Sequence, residues 1–100
     1  MPDHPLKTLS QIDEDIMQHV KDMNGFVFND GALPRKVKLL IALAFDAAQG
    51  AREGVRALAD AAIHEGATLG EIAEAIRVAY HLSGVGTLYT ASAGLKEVIE

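Results

Sequence analysis

Leu33-Pro34-Arg35-Lys36-Val37-Lys38-Leu39-Leu40-Ile41-Ala42-Leu43-Ala44-Phe45-Asp46-Ala47-Ala48 decides how this chain folds. Pro34 suits the first turn of a helix, because its missing N–H is an orphan donor there anyway. The helix should run to about Gln49. From Val37 to Ala48 only Lys38 and Asp46 carry charge, so this helix is apolar almost all round. A helix of that kind wants burial on every side. A 100-residue monomer has difficulty supplying it. The expectation is therefore an all-α protein that assembles with copies of itself.

Upstream, residues 1–9 read as a flexible N-terminal arm, since Pro2 and Pro5 prevent a regular start. Residues 10–100 read as one helical domain. Ser10 is placed to cap a first helix, with Asp13, Glu14 and Asp15 at its positive end. Ile12, Ile16, Val20 and Met23 share its apolar face, and Asn24-Gly25 stops it. Phe26-Val27-Phe28 then reads as a loop whose aromatic rings plug a core.

Downstream, Val55, Leu58, Ala59, Ala62 and Ile63 follow helical spacing in a third helix from Ala51 to about Glu65. Gly66 ends it. Thr68 and Glu71 form a capping-box pattern that opens a fourth helix, with Leu69, Ile72, Ile76, Ala79 and Ser83 inward. Ser83-Gly84-Val85-Gly86 breaks the chain again. A fifth helix starts near Thr87, with Leu88, Ala91, Leu95 and Val98 inward, and Gly94 inside it implies a close helix crossing. Five helices with short links make a compact bundle.

Composition narrows the function. There is no cysteine, so disulfides, thiolate nucleophiles and thiolate metal sites are excluded. A net charge of −5 argues against a nucleic-acid binder and against attraction to an anionic membrane. The N-terminus lacks signal-peptide features and no apolar run approaches a membrane span, which makes a cytoplasmic location the expectation. His4, His19, His64 and His81 include no pair at helical ligand spacing, so no metal is expected, and no cofactor motif is present.

Leu33-Pro34-Arg35-Lys36, the apolar helix Leu39–Ala44, Gly66-Ala67-Thr68 with Glu71-Ile72, and Gly84-Val85-Gly86 occur in an order that resembles the carboxymuconolactone decarboxylase family, with its AhpD-like fold. Asn24-Gly25-Phe26 resembles the decarboxylase-type entry to that domain, and the resemblance spans about residues 24–98. It implies an all-α domain assembling into trimers or hexamers. The peroxidase branch carries Cys-x-x-Cys-x-x-x-His, and the matching positions here hold Ala51, Gly54 and Leu58. Peroxide reduction by that route needs a thiolate to attack and a thiol to resolve, so it is rejected. The decarboxylase branch keeps a histidine where Leu58 stands, and leucine transfers no proton. Alanine, glycine and leucine at these three positions read either as an open apolar pocket or as a close helix contact.

The remaining candidates each carry a plain structural reading beside the functional one. His64 is a general acid or base, or simply a histidine favoured at a helix C-terminus. Arg77 and His81 share a helix face four residues apart, and with Tyr80 they form a carboxylate-binding group or a solvated polar face. Arg52, Glu53 and Arg56 form a substrate-binding cluster or a surface ion-pair network. Catalysis is assigned to His81 and His64, and substrate binding to Arg77, Tyr80, Arg52 and Arg56. The expected function is binding of, or action on, a small carboxylate or lactone without thiol chemistry. If that includes catalysis, it is a cofactor-independent, decarboxylase-like lyase reaction. The alternative is a non-catalytic helical homo-oligomer serving as a binding or interaction module.

Overall fold

The computed structural model describes residues 6–100, and the part of the expected N-terminal arm at residues 1–5 lies outside the described residues. Among the described residues there are six helices and no strand: α1 (Lys7–Ser10), α2 (Glu14–Phe28), α3 (Arg35–Ala48), α4 (Arg52–His64), α5 (Leu69–Ser83) and α6 (Gly86–Ile99). None is long and apolar enough to cross a membrane. The all-α expectation holds, with one helix more than the five read from the sequence.

The additional element and two displaced boundaries all lie near the N-terminus. Lys7–Ser10 forms a single helical turn within the expected arm. Ser10 does not cap the next helix. Asp13 does, its Oδ1 accepting from the Ile16 N–H at 3.0 Å. Nor does Asn24-Gly25 stop α2, which continues through Phe28 and so converts the expected aromatic loop into a last helical turn. Glycine inside a helix costs about 1 kcal/mol relative to alanine. That cost is offset because Phe28 packs on Leu39, Ala62 and Ala67. A Cβ at Gly25 would meet nothing within 4 Å. Gly25→Ala should therefore raise stability by about 0.5–1 kcal/mol, read from urea unfolding.

From α3 onward the boundaries agree with the sequence reading to within a residue or two. Pro34 precedes the first turn of α3, and Gly50, Gly66 and Gly84, all at positive φ, end α3, α4 and α5. Thr68 and Glu71 complete the capping box in both directions, at 3.0 and 2.9 Å. Short links reverse the chain after each helix. The starts of α3 and α5 are thus brought beside the end of α4, where Arg35 pairs with Glu65 at 3.1 Å and Lys36 with Glu71 at 3.0 Å. The ends of α3 and α5 and the starts of α4 and α6 gather at the opposite pole.

The main core is Leu43, Ala47, Val55, Ala59, Ile72, Ile76 and Ala91, with Leu40, Leu58, Leu95 and Val98 packed on it. Three of these seven buried residues are alanine, which lets helix axes approach closely. The buried face of α6 is Thr87, Ala91 and Gly94, while Leu88 is exposed. Gly94 causes that rotation: it lies against α4, where an added Cβ would stand 2.7 Å from the Arg52 carbonyl oxygen and from Val55. Leu69 and Ser83, read as inward on α5, are exposed, because each sits at an end of the helix beyond the packed layer.

Thr87 is 2% exposed, and among the described residues its hydroxyl is the one buried side-chain group without a hydrogen-bond partner. An unsatisfied buried hydroxyl costs about 1–3 kcal/mol. Thr87→Val keeps the shape and removes that cost, so a gain of about 1 kcal/mol is expected in thermal or urea unfolding.

Candidate functional site

The pole formed by the end of α3 and the start of α4 carries the positions that the family motif would occupy. Ala51 is the N-cap residue of α4, Gly54 lies in its first turn, and Leu58 follows one turn later on the same face. Leu58 is half-buried and packs on both apolar clusters, so its position is filled by core. Gly54 faces Asp46 of α3. A Cβ at residue 54 would collide with Asp46 Oδ2 and stand 2.7 Å from its Cγ. The space left by the absent side chain is thus occupied by a carboxyl group of α3, which is a close helix contact and not an open apolar pocket.

Asp46 is half-buried, and burial raises its pKa above the ordinary aspartate value. Among the described residues its carboxyl has no hydrogen-bond or ion-pair partner. Asp46 also lines a groove of about 450 Å³ between α2 and α3, with Val27, Phe28, Lys38, Ile41, Ala42 and Phe45. Lys38 donates to the Asn29 carbonyl at 2.7 Å, and no carboxylate among the described residues lies at ion-pair distance from it. A second groove of about 300 Å³ runs between the last turns of α3 and α5, past Ile41, Phe45, Val78 and Leu82. The ridge Ile41–Phe45 separates the two.

The residues singled out from sequence do not converge. His64 ends α4 at the far pole, its Nδ1 2.8 Å from the Asp60 carbonyl oxygen. His81 lies in the last turn of α5, twelve residues after the helix begins near that far pole, or roughly 18 Å along the axis at 1.5 Å per residue. Arg77, Tyr80 and His81 share the solvent face of α5, opposite Ile72, Ile76 and Ala79. The α3–α5 groove is lined by Val78, Ala79, Leu82 and Ser83, not by these three. Arg56 pairs with Glu53 at 3.1 Å and Arg52 reaches the same carboxylate at 3.8 Å, which makes that cluster a local network on α4. No group of three potential metal ligands occurs among the described residues.

A family model described as the carboxymuconolactone decarboxylase family matches residues 14–97. The chain belongs to the carboxymuconolactone decarboxylase family. This member carries no cysteine, so the family's thiol chemistry is absent from it. Its fold is similar to the crystal structure of apo-lpg0406, a carboxymuconolactone decarboxylase family protein from Legionella pneumophila, with a TM-score of 0.83 at 24% identity over 91% of this chain and 81% of that one. No curated protein matches the chain.

Asp46 is the residue that sequence reading missed. It stood out only as the one acid in the run Leu39–Ala48. Its pairing with Gly54 depends on the turn Gln49–Ala51, which folds α4 back onto α3.

Proposed function

We propose that this family member binds and transforms a small carboxylate or lactone without cofactor or thiol, using Asp46 as its proton-carrying group. The observation that supports this is the unpartnered, half-buried Asp46 carboxyl seated over Gly54. Burial raises its pKa, the direction a general acid needs. In a lyase step the bond to the substrate carboxylate breaks and carbon dioxide leaves. The electron pair passes into the conjugated carbonyl of the lactone. Protonated Asp46 delivers its proton to the resulting enolate, and solvent re-protonates the aspartate.

The test is turnover of a carboxylated γ-lactone. Asp46→Asn should lower it by about 10²-fold or more. His64→Ala and His81→Ala should retain it, since both histidines are exposed and His64 lies at the pole opposite Gly54. Turnover lost in His81→Ala but kept in Asp46→Asn would return the proton role to the end of α5 and overturn the assignment.

A second reading, a homo-oligomeric interaction module, is favoured by a different observation. Helix α2 buries no residue, and Ile16, Met23, Phe26 and Val27 on it are exposed. Phe45 and Leu82 are 64% and 78% exposed on the body. A 15-residue helix is marginal in water without a packed face, so a second copy is the expected cover. Native mass spectrometry should find a closed oligomer, and a monomer at micromolar concentration would remove this reading.

A further inference from the structure

Helix α2 carries an apolar stripe that its own chain leaves uncovered. Ile16, Val20 and Met23 recur at i, i+4 and i+7, so they fall on one face of the helix. Val20 is half-buried, while Ile16 and Met23 are exposed. Of the apolar residues of α2, Phe28 alone packs on a buried cluster among the described residues. The body carries the converse shape. The groove between the last turns of α3 and α5 has Ile41 and Phe45 along one wall and Val78 and Leu82 along the other, all four exposed. Ala44, Ala48 and Ala79 are less exposed than these walls and form the floor. No lining residue is charged, and the one polar side chain is that of Ser83. A small-molecule site needs several converging polar groups to orient its ligand. An uncharged trough between two ridges suits an amphipathic helix instead. The lengths agree: Ile41 to Ala48 and Ile16 to Met23 each span seven positions, roughly 10 Å along a helix axis. The two surfaces do not meet within one chain. Phe28 fixes the end of α2 on Leu39, Ala62 and Ala67, and Val27 lines the groove on the other side of the Ile41–Phe45 ridge.

We infer that α2 of one copy lies in the α3–α5 groove of a second copy, with Ile16, Val20 and Met23 seated between the Ile41–Phe45 and Val78–Leu82 ridges. The inference rests on the oligomeric reading above and is independent of the chemistry of Asp46. Stripe and groove are different surfaces of the same chain, so the contact is heterologous and closes when repeated around a ring. At their exposures the stripe and the groove walls bring together on the order of 600 Å² of apolar surface. Interface area is about 60% apolar, so one contact removes about 1,000 Å², the size at which a specific interface begins. Each copy makes two such contacts, one through its stripe and one through its groove. Docking also supplies the packed face that a helix of this length needs in water.

The experiment weighs two single-site variants by native mass spectrometry, first apart and then mixed. Met23→Glu spoils the stripe and keeps the groove. Leu82→Glu spoils the groove and keeps the stripe. Both side chains are exposed in the single chain, so each variant should retain a cooperative thermal transition. An unpaired carboxylate buried in a hydrocarbon contact should weaken it by about 10²-fold or more. Each variant alone should therefore lose the parent oligomer and appear at single-chain mass. An equimolar mixture should form a one-to-one dimer and nothing larger, because the intact stripe of the Leu82→Glu chain fits the intact groove of the Met23→Glu chain. Tyr89→Glu, exposed on α6 and lining neither surface, should keep the parent oligomer. Monomeric variants that form no mixed dimer would overturn the inference, since a contact between like surfaces behaves that way. Parent mass retained in either variant would also overturn it and leave the oligomeric reading standing. A parent that is itself a monomer at micromolar concentration would remove both.

Discussion

Gly94→Ala should lower stability by about 2 kcal/mol, although alanine is the better helix former by about 1 kcal/mol. The new Cβ would stand 2.7 Å from the Arg52 carbonyl oxygen and 2.7 Å from both Cβ and Cγ1 of Val55. None of these is the loose end of a flexible side chain. Val55 is fully buried in the main core, and the Arg52 carbonyl belongs to the first turn of α4. Relief therefore requires α4 and α6 to separate, at a cost typical of overpacked cores, about 1–3 kcal/mol or more. For a domain of this size the melting temperature should fall by roughly 10 °C. Gly25→Ala serves as the opposite-sign control, because the same substitution there meets open space. An unchanged melting temperature in Gly94→Ala would mean that the crossing is slacker than these distances. The variant also tests the site, since Arg52 and Val55 flank Gly54. Pushing α4 outward loosens Gly54 from Asp46, so the pKa of Asp46 should move back toward the ordinary aspartate value.

The bundle was legible because its signals are local. Pro34, Gly66, the Thr68–Glu71 box and Gly84 act within a turn of their own position, and each marks a real helix end. The misread segment was Asn24–Phe28, where a long-range contact competes with a local preference. Gly25 favours a stop, but Phe28 reaches Leu39, Ala62 and Ala67, which are distant in sequence. The outward turn of Leu88 has the same origin, since the Gly94 crossing sets Thr87 and Ala91 against the bundle, while Leu95 and Val98 pack on the core as read. The site was less legible. His64, His81 and Arg77 are conspicuous by residue type, yet a helix surface places polar side chains outward whether or not they have a task. Asp46 looked like an interruption of an apolar helix. Its meaning depends on the residue facing it across the bundle, and no spacing within α3 points to Gly54.

Asp46→Asn should raise stability at neutral pH while it lowers turnover. Burial holds the folded-state pKa of Asp46 above its unfolded value. Between those two values the folded protein binds more protons than the unfolded chain, so stability falls as pH rises through the folded value. The favourable contribution is complete only below the unfolded value, and at neutral pH the charged carboxylate carries a desolvation penalty. Asparagine has the same outline and no charge, and so removes the penalty. The variant should unfold at higher urea than the parent at pH 7, and the two should converge as the medium is acidified toward the ordinary aspartate range. Glu71 works with the opposite sign. The Thr68 backbone N–H, with Lys36, holds its pKa below the ordinary glutamate value, so its stabilisation is present above the unfolded value and lost as pH falls through the folded one. Subtracting the parent and Asp46→Asn profiles cancels Glu71 and leaves Asp46 alone. A flat difference would mean that the carboxyl is as well solvated in the fold as in the unfolded chain, and the acid role would lose its physical basis. A difference that grows with pH, paired with a turnover loss of about 10²–10⁴-fold, would show a group whose charge weakens the fold and whose proton the chemistry requires.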